Sequence, residues 1–344
     1  MMEFSLLFFS SNEAEFQQDK YQLLYEATAF ADQHDFKAVW LPERHFHPFG
    51  GLYPNPATLA AALAGTTSQI RLRAGSVVLP LHHPIRVAEE WAVVDNLSGG
   101  RVDLSFATGW NPNDFVLAPQ AYEDRVALTY QGIEAIQHLW RGGQISFLNG
   151  LGQDQEIGIY PQPQQSELSI WLTCSGGEER YIDAAERGYN VLTALLFQSV
   201  DELAPKIARY RETWANNPQV TDRGHVTLML HTYLDQTVET VRQQVRDPLL
   251  SYLESSVNLW QQDWQSLDRL TEKERQRLLD YAFERYYQTK TLMGTPESCL
   301  DFVSQLSVTG VDEIACLIDF GVEQNVVLQS LKFLNQLKVS VTAS

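Results

Sequence analysis

The sequence predicts a (β/α)8 barrel, on three observations. Eight short apolar, β-branched or aromatic runs alternate with longer stretches of helical period. No G-x-G-x-x-G turn follows the first run, as an open doubly wound sheet that binds a dinucleotide would want. Polar or glycine-rich clusters follow the second to fifth runs, where a closed barrel keeps its working face. The usual length prior would divide 344 residues in two, but α/β barrels commonly reach this size, so 1–344 reads as one domain.

The predicted strands are Phe4–Phe9, Ala38–Leu41, Ile70–Leu79, Val102–Ala107, Ser169–Thr173, Asn190–Ala194, Val226–Tyr233 and Glu313–Ile318. The predicted helices are Asn12–His34, Pro56–Gly65, Pro84–Leu97, Tyr122–Trp140, Gly177–Arg187, Val200–Ala215, Thr237–Ser255 and Val322–Leu337. Asn55-Pro56 and Pro84 supply first-turn signals, and Gly99-Gly100 a C-cap. Two segments interrupt the repeat. Gly142–Gln165 is rich in Gly, Gln and Pro around "QISFL" and "EIGIY", which predicts an inserted hairpin over about 142–165. Trp260–Thr289 predicts a charged helical insertion, about 256–290, with Tyr281, Phe283, Tyr286 and Tyr287. Both are candidate substrate-facing elements, a plain surface extension being the alternative.

A net charge of −18 with no run of Lys and Arg excludes nucleic acid and anionic membrane as partners. Three scattered cysteines, Cys174, Cys299 and Cys316, fit neither a disulfide framework nor a CxxC zinc site and suggest a reducing compartment. "MMEFSLLFFSSNEAEF" reads as a first strand, not a signal peptide, and no apolar stretch approaches the ~20 residues of a membrane span. The expectation is a cytoplasmic globular protein.

"WLPERHFHPFGG" places Glu43, Arg44, His45 and His47 just past the second strand. Three readings are open: a metal site, an acid/base site, or a polar loop containing histidines. As metal ligands, His45 and His47 could enlist His82, His83, His231 and Asp319. Residues i and i+2 share a face only while a strand continues, and Pro48 with Gly50-Gly51 says that it has ended. "CSGGEE" follows the fifth strand; exposed N–H groups there can hold phosphate, with Arg125 adding charge, or the glycines can serve a tight turn. Gly75-Ser76, inside a β-branched strand, marks a kink or the close approach of something flat.

"AVWLPERHFHPFGGLYPNP", the segment Ile70–Phe115 and "LMGTPESCLDFVSQLSVTGVDEIACLIDFG" together resemble the luciferase-like, flavin-dependent monooxygenases. The likeness covers essentially the whole chain and points to the branch found in natural-product biosynthesis, often fused into peptide or polyketide synthetases. It implies a barrel that binds reduced FMN and uses O2, through a flavin C4a-hydroperoxide, to oxygenate a substrate. It also implies the site. The Glu-His-His of bacterial luciferase's catalytic subunit corresponds to Glu43-Arg44-His45; the histidine usually given the catalytic role there falls on Arg44, and only the second is kept, as His45. The family's non-prolyl cis peptide beneath the flavin ring falls at Gly75-Ser76 or beside it. The phosphate contacts fall on Ser175, Gly176 and Gly177 of the Cys174–Gly177 turn and on Arg125, with Thr108 in place of a second arginine and Ala107 in place of a reactive cysteine.

On that likeness His45, oriented by Glu43, would hydrogen-bond the peroxide or pass a proton, and Arg44 would favour negative charge there. The implied substrate is an aliphatic acyl or aminoacyl group, including one tethered to a carrier protein of a synthetase. The implied partners are a separate flavin reductase and a second copy in a homodimer. The rival classes are a deazaflavin-dependent dehydrogenase of the same superfamily, a metal hydrolase using His45 and His47, and a non-catalytic barrel subunit.

Overall fold

All eight predicted strands form, and each is buried along most of its length, as parallel strands covered on both faces must be. The structure, a computed structural model, describes residues 2–9, 20–47, 50–196, 198–260 and 272–343. Strands β1 (Glu3–Leu7), β2 (Ala38–Leu41), β3 (Arg71–Val78) and β4 (Val102–Ala107) pair in chain order. Strands β5 (Ile145–Leu148) and β6 (Asp154–Ile157) form the predicted antiparallel hairpin outside the ring. The ring continues through β7 (Ile170–Thr173), β8 (Asn190–Ala194) and β9 (Val226–Leu234). Beyond β10 (Thr291–Gly294), β11 (Glu313–Leu317) pairs with both β9 and β1, which closes eight parallel strands into a barrel.

The helices are α1 (Gln22–Gln33), α2 (Pro56–Ala64), α3 (Pro84–Ser98), α4 (Arg125–Trp140), α5 (Glu179–Glu186), α6 (Val200–Ala215), α7 (Val238–Trp260), α8 (Glu272–Lys290), α9 (Pro296–Thr309) and α10 (Gln324–Ala343). They follow the predicted positions, except that 12–19 of the first prediction and 261–271 of the insertion lie outside the described residues. Local signals explain their ends. Asn55 accepts from Thr58 N–H ahead of Pro56, and Gly99 closes α3 in the left-handed region at φ 73°. No helix among the described residues is long and apolar enough to cross a membrane.

Two elements were not predicted. Strand β10 pairs with His231–Leu234, the half of β9 beyond the stretch that β8 uses. Four residues are too few to show a period, so only its neighbour makes it a strand. Helix α9 did carry a signal: Thr295 and Ser298 form a reciprocal capping box around Pro296. Of the helical insertion, Phe283, Tyr286 and Tyr287 of α8 are buried and Tyr281 is exposed.

A charged layer lies inside the barrel on β2, β3, β4, β7 and β11. Arg73 on β3 is buried and donates to Asp103 at 2.8 Å and to Glu313 at 2.7 Å, with its guanidinium 4.8 Å and 4.5 Å from the rings of Trp40 and Trp171. Glu313 also accepts from Ser5 Oγ at 2.5 Å, Trp40 Nε1 at 3.0 Å and His225 Nε2 at 3.1 Å. Burial opposes the Glu313 charge, but Arg73, His225 and Ser5 outweigh it and hold its pKa well below the ordinary 4.5.

Breaking such a set leaves a buried charge unpaired. Arg73→Met is expected to cost about 3–5 kcal/mol, read from urea unfolding at neutral pH. The stability that Glu313 contributes is present above pH 4.5 and is lost as the pH falls toward its depressed folded value. Acid unfolding of the wild type followed by circular dichroism checks that sign.

Candidate active site

A cavity of about 240 Å3 opens at the C-terminal ends of the strands. Its floor is β3 at Gly75 and Ser76, whose peptide bond is cis, where the register against β4 shifts between Ala74 and Val77. Ser76 Oγ lies 2.8 Å from Ser105 Oγ and 2.5 Å from Thr173 Oγ1, so three hydroxyls from β3, β4 and β7 form one cluster. Gly75 has its own reason to be glycine. A Cβ there would come within 3.1 Å of the Trp40 side chain, so the glycine answers to an indole of the barrel core.

Glu43 and Arg44 reach the cavity wall, but His45 does not line it. The strand has ended by then, and Phe46, at φ 56°, turns the chain away. The Glu43 carboxylate, fully buried, stands between the cavity and two imidazoles. Its Oε1 meets His45 Nε2 at 2.7 Å and His82 Nε2 at 2.5 Å, while its Oε2 accepts the N–H of Val78 at 2.8 Å. Burial opposes its charge, yet the bonds from His45 and His82 outweigh this and hold its pKa below 4.5. Burial opposes the charge of His82 too, and the bond and attraction to Glu43 raise its pKa above 6.5.

In place of the alternative in which His45 and His47 act as a pair, His45 is joined to His82, bridged by Glu43. Glu43, His45 and His82 bring their ligand-type atoms within 4.8 Å of one another, whereas His47 is not part of that group. His82 comes from the loop after β3, so the pairing spans 37 sequence positions and no local spacing could show it.

The predicted phosphate contacts are Ser175, Gly176, Gly177 and Arg125. Ser175, Gly176 and Gly177 are exposed at the end of β7 as expected. Arg125, however, donates to the carbonyls of Gly109 and Tyr122 at 3.2 Å and 2.7 Å and stacks over Tyr122. The cation beside the turn is Lys206 of α6, whose Nζ lies 3.1 Å from the Gly176 carbonyl and 2.8 Å from Gln198 Oε1. Sequence reading missed Lys206 because it lies 29 positions beyond Gly177, on a helix face with no motif. The Cys174 thiol is buried and turned to the carbonyls of Leu172 and Arg180, and burial pushes its pKa up, so this position offers backbone alone. Thr108 does not line the cavity, although Ala107 and Gly109 on either side do. Nor do the hairpin residues 145–157; Phe147 instead packs against His83.

A phosphate-bearing planar cofactor fits these residues. An exposed turn with free space at Gly176 and an ammonium beside it lies at one end, and the hydroxyl-lined floor lies at the other. The Glu179 carboxylate sits beside Gly177 and, being on an exposed residue, is free to rotate away.

The model of the family described as luciferase-like monooxygenase matches residues 2–313. The chain belongs to that family. A relative from Acinetobacter baylyi, named a flavin-dependent trigonelline monooxygenase, oxygenase component, is 27% identical over 93% of this chain and 90% of its own. An alkanal monooxygenase alpha chain from the Kryptophanaron alfredi symbiont is 22% identical over 86% of each. Among solved structures, the oxygenating constituent of 3,6-diketocamphane monooxygenase from Pseudomonas putida, in complex with FMN, superposes with a TM-score of 0.75. It is 16% identical and covers 98% of this chain and 97% of its own, a likeness of fold. This luciferase-like monooxygenase is thus a flavin-dependent oxidoreductase built on the predicted barrel.

Glu43→Gln should remove the force that holds His82 protonated. With burial opposed only by the attraction of Glu90, the His82 pKa falls, which imidazole NMR titration would detect; an unchanged value would separate the two residues. In the wild type, the stability that His82 contributes is present below pH 6.5 and is lost as the pH rises through its folded value.

Proposed function

We propose that this chain is the oxygenase of a two-component system that takes reduced FMN from a separate reductase and inserts one atom of O2 into an acyl or aminoacyl substrate. The observation that carries this reading is a buried carboxylate, Glu43, at the wall of a cavity floored by Gly75-Ser76 and edged by Ser175, the first residue of the Ser175–Gly177 turn. Reduced FMN, when bound, would supply the electrons that activate O2, and O2 the oxygen atom transferred. The protein's own residues do the rest. Ser175, Gly176, Gly177 and Lys206 hold the phosphate through N–H groups, a hydroxyl and an ammonium. Ser76, backed by Ser105 and Thr173, presents a polar floor to the ring.

Glu43 holds a proton relay. His45 and His82 bond to the same oxygen, so a proton gained on one side of the carboxylate can be matched by one released on the other. His45 acts through Glu43 as a positioning residue, a narrower part than contact with the oxygen. The cavity is otherwise mostly apolar, with Leu7, Phe9, Val78, Trp110, Leu196 and Met229 on its walls, which excludes water and suits an aliphatic or aromatic body.

The reductase is supported by the Acinetobacter relative, named as an oxygenase component, and by the lack of a dinucleotide fingerprint. A homodimer, a carrier protein presenting the acyl group, and a place in natural-product biosynthesis rest on the family likeness.

His45→Ala should lower coupled oxygenation by about 10²-fold while FMN affinity holds, measured by product formed per flavin oxidised. Unchanged coupling would remove the relay. Lys206→Ala should weaken FMN binding about tenfold, read by flavin fluorescence, and leave riboflavin binding alone. Turnover with a deazaflavin and indifference to O2 would instead assign the chain to hydride transfer.

A further inference from the structure

Arg44 is a buried cation without an internal partner for one edge of its guanidinium. The residue is 6% exposed and lines the cavity. Among the described residues, neither Nε nor Nη2 has a hydrogen-bond partner. Those two atoms form the side-on fork of the guanidinium, the edge that accepts a carboxylate with two parallel bonds. Phe9 and Trp110 flank the group, with ring centres 5.3 Å and 5.5 Å from its central carbon.

The other buried arginines show what this fold does with such a group when nothing external is needed. Arg73 meets Asp103 and Glu313. Arg101 is satisfied by Ser98, Thr67, Ile70 and Ala64. Arg44 differs from both. The nearby Asp114 attracts it electrostatically, but that carboxyl is bonded to Asn111 Nδ2 at 2.8 Å, and burial pushes its pKa up. The backbone is also shaped for the side chain. A Cβ on Gly50, at φ 80°, would come within 2.8 Å of Arg44 Cγ, and Arg44 N–H donates to the Tyr53 carbonyl at 2.9 Å.

We propose that Arg44 is the substrate's anion-binding residue: the molecule oxygenated carries a free carboxylate that docks on Nε and Nη2, with its apolar body among Phe9, Trp110 and Tyr252. That it is a substrate rests on the monooxygenase reading; that it is an anion does not. The charge decides the form of the acyl compound. A thioester on a carrier protein presents no negative charge at that end, so the proposal selects the free acid.

The test uses benzoate and its neutral counterpart benzamide, titrated by calorimetry into the full chain with and without FMN. The wild type should bind benzoate at least about tenfold more tightly than benzamide, the margin of a charge-assisted pair. Arg44→Met should erase that preference without changing benzamide or FMN affinity, and Arg44→Lys should restore part of it. Equal binding of the two probes by the wild type, or no detectable binding of benzoate, overturns the proposal and needs no variant. Loss of FMN affinity in Arg44→Met, with benzoate still preferred, overturns it in favour of a role toward the cofactor. A benzoate preference in a chain that binds no FMN would keep the anion site and defeat the functional reading.

Discussion

The Arg73 guanidinium, held between Trp40 and Trp171 and bonded to Asp103 and Glu313, is the constraint on which the rest of the barrel depends. Trp40, Arg73 and Asp103 are register partners on adjacent strands, so completing the charge set also aligns β2, β3 and β4. A buried ion set tolerates no slip, because a register error strands a charge in the core. The alignment then propagates upward. Trp40, tied by Nε1 to Ser5 and Glu313, occupies the space that a side chain at residue 75 would need. Gly75 follows from that packing, and Ser76 beside it becomes the polar floor of the cavity.

The rim is built on a different balance. Glu43 is partnered on both oxygens, by two imidazoles and one backbone N–H. One residue along, Arg44 is left with an open edge. Neighbours in sequence thus hold opposite roles: one carboxylate completed by the fold, and one cation left for a molecule that the fold does not contain. Low dielectric strengthens both, since a hydrogen bond made or missed there counts for more than at the surface.

The strands were legible because their signal is local: short apolar runs bounded by turns. The capping box that starts α9 was equally local and was passed over. Among site residues, Gly75-Ser76 and Ser175–Gly177 occupy the predicted places because glycine is a signal in itself. Lys206 went the other way: it is a single cation on a helix, and its place beside the Ser175–Gly177 turn depends on how α6 packs, not on spacing.

By itself, then, the sequence determined the barrel, the rim on which chemistry collects, and the titratable cluster after β2, because periodicity and turn chemistry are written over a few neighbouring residues. Only the tertiary structure decided which histidine joins His45, which residue of the cluster reaches the cavity, and which arginine is left unpaired. Those are contacts between residues far apart in the chain. Their geometry comes from ring closure and from the buried charges that set the register of the strands.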